Sequence, residues 1–134
     1  MLKQRTLRNS IKAVGIGLHT GKNINMELIP AKANTGINFI RTDVDENLVI
    51  PAIAENVGDT SLSTALVKDD VKISTIEHLL SAIAGLGVDN CVIKVDGPEV
   101  PIMDGSSSPL YSLYSLLALK IRMRSKGLLK LKKR

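Results

Sequence analysis

The sequence predicts an α+β fold, a two-layer sandwich in which a mixed or antiparallel sheet carries two helices on one face. Apolar and polar residues alternate over Ile24–Ile29, which is typical of a half-buried strand. Apolar residues recur at the spacing of one helical face between Ile76 and Ile83. The 134 residues, 44% of them apolar, are enough for one domain with a hydrophobic core, so a wholly disordered chain is excluded.

Short strand-like segments occupy the first half of the chain, and turn residues separate them. They are Ile24–Ile29, Ile37–Arg41, Leu48–Ile53, Ser63–Val67 and Val71–Ile73. Pro51 cannot donate a backbone hydrogen bond, so the third segment is predicted at a sheet edge. Lys68-Asp69-Asp70 is predicted to be the tip of a hairpin.

The first helix is expected to begin at Ser74, because Ser74 and Glu77 have the spacing of a capping box. Gly85 or Gly87 can end this helix. The side chains predicted to face the core are Ile76, Leu79, Leu80 and Ile83.

The rest of the fold is predicted from four segments. Asn90 to Val95 is a buried strand, and the proline-containing stretch 96–101 is an extended link. A loop over 104–109 leads into a second helix, Leu110 to about Leu119.

Charge divides the chain into a predicted domain, residues 1–119, and a basic tail, residues 120–134. The domain carries all thirteen acidic residues and a net charge of −3, whereas the tail carries eight of the eighteen basic residues. The tail has the composition of a disordered segment or an out-of-frame translation. With three aromatic residues in the chain, no nucleic-acid partner is expected. The alternative is a small binding module that uses the tail on an anionic membrane or on nucleic acid.

Location is predicted from what the sequence lacks. It has no apolar run long enough to span a bilayer and no apolar signal region near Met1. A single cysteine, Cys91, fits a reducing compartment, so we expect a cytoplasmic protein. Cys91 itself is expected to be a buried, inert thiol.

The adjacent pair Glu77-His78 is the best candidate for chemistry. On a helical wheel both side chains lie off the apolar face, in the first turn of the helix. The partial positive charge of a helix N-terminus disfavours imidazolium, and neutral imidazole is the form that binds metals. A neighbouring carboxylate can act as a general base. A capping glutamate beside a solvated histidine explains the same pair, and spacing alone favours that interpretation.

The glycine-rich stretch Gly15–Lys22 lacks the third glycine of the dinucleotide-binding pattern and the first glycine of the phosphate-loop pattern. Its glycines indicate a tight turn or bulge between strands. His19 lies in this turn, either facing a ligand or as an ordinary loop histidine.

Six stretches give the sequence a family resemblance, in family order and with near-family spacing. They are Lys3–Leu7, Gly15–Lys22, Pro30–Gly36, Ile73–Leu79, Ala84–Asn90 and Pro101–Ser106. Together they resemble the N-terminal half of the UDP-3-O-acyl-N-acetylglucosamine deacetylases, zinc enzymes of lipid A synthesis. The resemblance covers about residues 2–108.

The resemblance implies two similar α+β domains with an active site between them, where the acetamide of the UDP-sugar lipid substrate is hydrolysed to an amine and acetate. It implies that His78 is a zinc ligand, that Glu77 is the general base, and that His19, Leu62 and Ser63 lie along the substrate site. The other zinc ligands belong to the family's second domain. We therefore expect a truncated chain or fragment that is inactive alone, or a relic without a selected role, which the motifs do not distinguish.

Overall fold

A computed structural model describes residues 4–59 and 64–103 of the chain. Within these ranges it contains nine strands, a short 3-10 helix at Ala54–Asn56 and one α-helix, α1, at Glu77–Gly85. The strands are β1 Ile11–Ile16, β2 Asn23–Pro30, β3 Ile37–Arg41, β4 Ile50–Pro51, β5 Val57–Asp59, β6 Thr64–Lys68, β7 Val71–Ser74, β8 Cys91–Val95 and β9 Ile102–Met103.

Six of the strands form a mixed sheet in the order β4-β3-β8-β2-β1-β9. All neighbours are antiparallel except β3 and β8, which run parallel from the pairing of Ile37 with Cys91. A parallel pair needs a long crossover connection, and here that connection carries the second sheet and α1. Alternate residues of β2, Ile24, Met26 and Leu28, are buried as the sequence pattern predicts.

The second sheet has three antiparallel strands in the order β5-β6-β7. Lys68 pairs with Val71, so Asp69 and Asp70 form a two-residue hairpin loop. Both aspartates have positive φ, 52° and 68°, as a type I′ turn requires. The hairpin predicted over this part of the chain is therefore confirmed.

Leu79 and Ile83 of helix α1, together with Ile76 just before it, pack into the same core as the buried side of the large sheet. The helix ends in a Schellman motif: Gly87 takes a φ of 76° and donates to the carbonyl of Ala84, and Val88 donates to that of Ile83. The predicted role of Gly87 at the end of the helix is thus confirmed.

The buried carboxamide of Asn90 joins three separate parts of the chain. Its Oδ1 accepts hydrogen bonds from the backbone amides of Thr35 (3.1 Å) and Gly36 (2.8 Å). Its Nδ2 donates to Oε1 of Gln4 at 2.9 Å. Asn90 directly precedes β8, while Gly36 directly precedes β3, so this side chain holds the starting points of the two parallel strands together.

Most of the predicted elements are present, with some corrections. The α+β class is confirmed, with one mixed and one antiparallel sheet, and the third predicted strand is shortened to the edge strand β4. The capping box is wrong, because Ser74 still belongs to β7 and Ile76 precedes the helix without a side-chain cap. Strand β1 is not among the predicted strands, and it continues through Gly15 to Ile16, so the predicted turn begins later than the glycine-rich stretch.

Three of the fold predictions lie outside the described residues. They are the loop over 104–109, the helix at Leu110–Leu119 and the boundary between residues 119 and 120. Two helices on one sheet face are therefore not confirmed.

We expect Asn90→Ala to lower the free energy of unfolding by about 2–4 kcal/mol, because it removes the three hydrogen bonds that this buried carboxamide makes to Thr35, Gly36 and Gln4. Gln4→Ala removes one of those bonds and two exposed hydrogen bonds to Asn34, so it should cost only about 1 kcal/mol. Urea denaturation followed by circular dichroism measures both values. Equal losses in the two variants would show that the carboxamide does not hold the strands.

Cys91 is fully buried in β8, and burial raises the pKa of its thiol from 9.0 to about 12. The folded state therefore disfavours the thiolate, so the free energy of unfolding should fall as the pH rises from about 9 towards 12. Cys91→Ala removes this contribution but none from lysine or tyrosine. Urea denaturation of both proteins at pH 8, 9 and 10 should show a difference that changes with pH. Parallel curves would contradict the burial of the thiol.

Candidate functional site

A tight turn at Gly17–Thr20 joins β1 to β2 and exposes His19. The turn is closed by backbone hydrogen bonds from Gly17 to Lys22 and from Gly21 to Gly17, each of 2.9 Å. Only glycine fits at position 17, since a Cβ there would lie 2.5 Å from Oγ1 of Thr20. The predicted turn is thus present, and the histidine at its tip faces solvent.

The carboxyl group of Glu99, 1% exposed, lies under this turn. The amide of His19 donates to both carboxyl oxygens at 3.1 Å, and the amide of Thr20 donates to Oε2 at 2.9 Å. Oε2 also lies 2.6 Å from where a Cβ of Gly17 would stand. The turn therefore wraps closely around a buried acidic side chain.

The same carboxyl group reaches the residue that leads into helix α1. The hydroxyl of Thr75 lies 3.5 Å from Oε1 of Glu99. Thr75 has a φ of 61°, a conformation that a β-branched residue rarely adopts and that costs on the order of 1–3 kcal/mol. Such a strained residue persists because its surroundings hold it, and here they include Glu99.

Glu77 and His78 form the start of α1. His78 is exposed, and Glu77 is half-buried. Oε1 of Glu77 is buried without a hydrogen-bond partner among the described residues. The predicted capping bond is not formed, so capping does not account for this carboxyl group.

The structure thus connects two of the predicted site segments. Glu99 binds both the turn that carries His19 and Thr75, which lies two residues before Glu77. Leu62 and Ser63 lie outside the described residues, as does the basic tail on which the alternative binding-module interpretation depends.

Sequence reasoning missed Glu99. A charged residue between Pro98 and Pro101 suggests an exposed link, and the glutamate itself gives no sign of burial. The signal that could have found it is the buried neighbour Val100, since an apolar residue in a short proline-rich stretch indicates contact with the core.

A metal site needs several histidine, cysteine or acidic side chains close together. Within 4–59 and 64–103, no three histidine, cysteine or acidic side chains gather to hold a metal ion. His78 is exposed and available as one ligand. Cys91 is not, because its buried thiol resists ionisation and metals bind thiolate. A catalytic zinc takes three protein ligands, so two would have to come from elsewhere.

A groove of about 460 Å³ lies on the other face of the large sheet. Its lining includes Lys12, Val14, Asn25, Glu27, Lys94 and Asp96. His19, Glu77 and His78 do not border it. No helix in the described part of the chain is long and apolar enough to cross a membrane.

Comparison with known proteins agrees with the resemblance. The sequence model of the family described as LpxC, UDP-3-O-acyl N-acetylglycosamine deacetylase, matches residues 4–134 and so extends through the basic segment. A relative from Methylococcus capsulatus, named UDP-3-O-acyl-N-acetylglucosamine deacetylase, is 53% identical over 99% of this chain and 44% of its own length. One of the same name from Hahella chejuensis is 58% identical over 84% of this chain and 37% of its own length.

The chain therefore spans less than half the length of these relatives. The matched part includes the His19 turn, Glu99 and the start of α1. Because the family match covers nearly the whole sequence, the chain belongs to the UDP-3-O-acyl N-acetylglycosamine deacetylase family.

Proposed function

We propose that this chain contributes the general base and one zinc ligand to a deacetylase that hydrolyses the acetamide of UDP-3-O-acyl-N-acetylglucosamine. Family membership supports the reaction, because the relatives that match are named for it. The substrate is a nucleotide sugar of lipid A synthesis, and we propose that the protein acts on it in the cytoplasm.

The observation that carries the proposal is the unpartnered oxygen of Glu77. Native proteins rarely leave a buried polar atom without a partner, because the loss of hydration costs about 1–3 kcal/mol. Oε1 of Glu77 has none among the described residues, and the exposed imidazole of His78 follows directly. An acceptor kept free beside an exposed imidazole suits a site that binds water and a metal ion.

His78 would be one ligand of the zinc ion, and its two companions would come from the second domain that the family resemblance implies. A bound zinc ion would polarise the amide carbonyl and lower the pKa of a water ligand. This requirement for further ligands is why we propose that residues 1–134 have no deacetylase activity by themselves.

Glu77 would act as the general base. Its carboxylate accepts a proton as the oxygen of water forms a bond to the acetyl carbon, and it returns a proton to the nitrogen as the carbon–nitrogen bond breaks. The products are acetate and the free amine. Glu77 and His78 are adjacent residues in the first turn of helix α1.

His19, Leu62 and Ser63 are proposed to contact the substrate. The exposure of His19 at the tip of a tight turn supports its part. A cationic or hydrogen-bonding side chain there suits the polar sugar and diphosphate groups of the substrate.

The tests use a joined enzyme, in which residues 1–134 are followed by the remaining part of the Methylococcus capsulatus relative. We expect Glu77→Gln to keep bound zinc and to lower kcat by about 10²–10⁴-fold, because an amide cannot accept the proton. Glu46→Gln, in an exposed loop, serves as the control and should leave kcat unchanged. Full activity of Glu77→Gln would remove the general-base role.

His78→Ala should weaken zinc binding by more than the roughly 10–100-fold that loss of an outer-shell partner costs. His19→Ala is the matched control and should keep the zinc affinity, because His19 is proposed to contact substrate. Competition with a fluorescent chelator measures both affinities. The separate 134-residue chain should bind zinc no better than the His78→Ala enzyme, and tight 1:1 binding by that chain would contradict the ligand assignment.

A further inference from the structure

The buried carboxyl group of Glu99 has no part in the chemistry proposed above. It lies outside the six stretches that carry the family resemblance. Yet it binds two of them, the glycine-rich turn and the stretch that leads into α1. A buried acidic side chain needs partners, and those of Glu99 in the described residues are two backbone amides and one hydroxyl.

The segment around Glu99 is fixed with respect to the start of α1. The amide of Ser74 donates to the carbonyl of Pro98 at 2.8 Å, and the amide of Val100 donates to the carbonyl of Ser74 at 3.0 Å. These two bonds enclose Glu99 in strand-like pairing with the end of β7. Its backbone therefore moves with the strand that leads directly to Glu77 and His78.

The turn at Gly17–Thr20, in contrast, has little of its own to orient it. Leu18, His19 and Thr20 are exposed, so packing does not hold them. The bonds from Gly17 to Lys22 and from Gly21 to Gly17 close the turn but do not attach it to α1. Among the described hydrogen bonds, those to Glu99 join the turn to the region where α1 begins.

We propose that Glu99 is a positioning residue that sets the His19 imidazole with respect to the Glu77-His78 pair, and so sets how the substrate is held. This inference rests on the proposed function. Glu99 acts on substrate only through the turn, by holding the backbone on both sides of the His19 side chain.

A double-mutant cycle in the zinc-loaded joined enzyme tests this role. Glu99→Gln keeps the size of the side chain but removes its charge and leaves one oxygen instead of two to accept from the backbone amides. We expect Glu99→Gln and His19→Ala each to lower kcat/KM by about tenfold or more, chiefly through KM, with zinc content unchanged. The double variant should have a kcat/KM no lower than that of the less active single variant, because the effect of Glu99 passes through His19.

Asn90→Ala provides the matched control. This substitution also removes a buried polar side chain that binds backbone amides, but those amides precede β3, away from the His19 turn. Its effect on kcat/KM should therefore multiply with that of His19→Ala. Thr75→Val is a milder companion to Glu99→Gln, since it removes only the hydroxyl near Oε1; its smaller effect should also disappear in the His19→Ala background. If Glu99→Gln and Thr75→Val each lowered kcat/KM by the same factor with and without His19→Ala, the proposal would be overturned.

Failure of the proposed function is recognised separately, because the unmodified joined enzyme would then release no acetate from the substrate. Amide hydrogen exchange then decides the positioning role. Glu99→Gln should speed exchange at His19 and Thr20 by about tenfold or more while sparing the amides of β2. Unchanged exchange at these two amides would overturn the proposal.

Discussion

The fold depends on the hydrogen bonds that Asn90 makes where the chain re-enters the large sheet. Strands β3 and β8 are parallel, so the chain between them must leave the sheet, form the second sheet and α1, and return in register. Asn90 fixes the point of return, because its Oδ1 binds the two amides that precede β3. Since β8 lies between β3 and β2, its register also aligns the two halves of the sheet.

Two buried polar side chains, Asn90 and Glu99, stabilise different parts of the molecule. Asn90 holds the N-terminal segment and the loop before β3, which are part of the scaffold. Glu99 holds the exposed turn and the strained Thr75, which belong to the candidate site. The hydrogen-bond partners thus distinguish a structural asparagine from a glutamate beside the candidate site.

Periodicity and turn chemistry predicted β2, β3, β8, the β6–β7 hairpin and α1, because these depend on neighbours along the chain. The predicted start of α1 is wrong because a long-range interaction involves the expected cap. Ser74 pairs with the segment around Glu99 instead of capping the helix. The Glu77-His78 pair could be selected from its position on the wheel. Two features depend on contacts between distant segments: Oε1 of Glu77 has no partner among the described residues, and Glu99 is buried.

The central place of β8 has a consequence for biosynthesis. A ribosome makes β2 and β3 well before it makes the strand that separates them, so the sheet receives its middle strand after most of its other members. Strands β1 and β2 can pair at once across their short turn, but the inner edge of β2 stays open until β8 emerges. Open strand edges invite pairing with other chains. Nascent chains that have not yet reached Val95 are therefore those in greatest need of a chaperone.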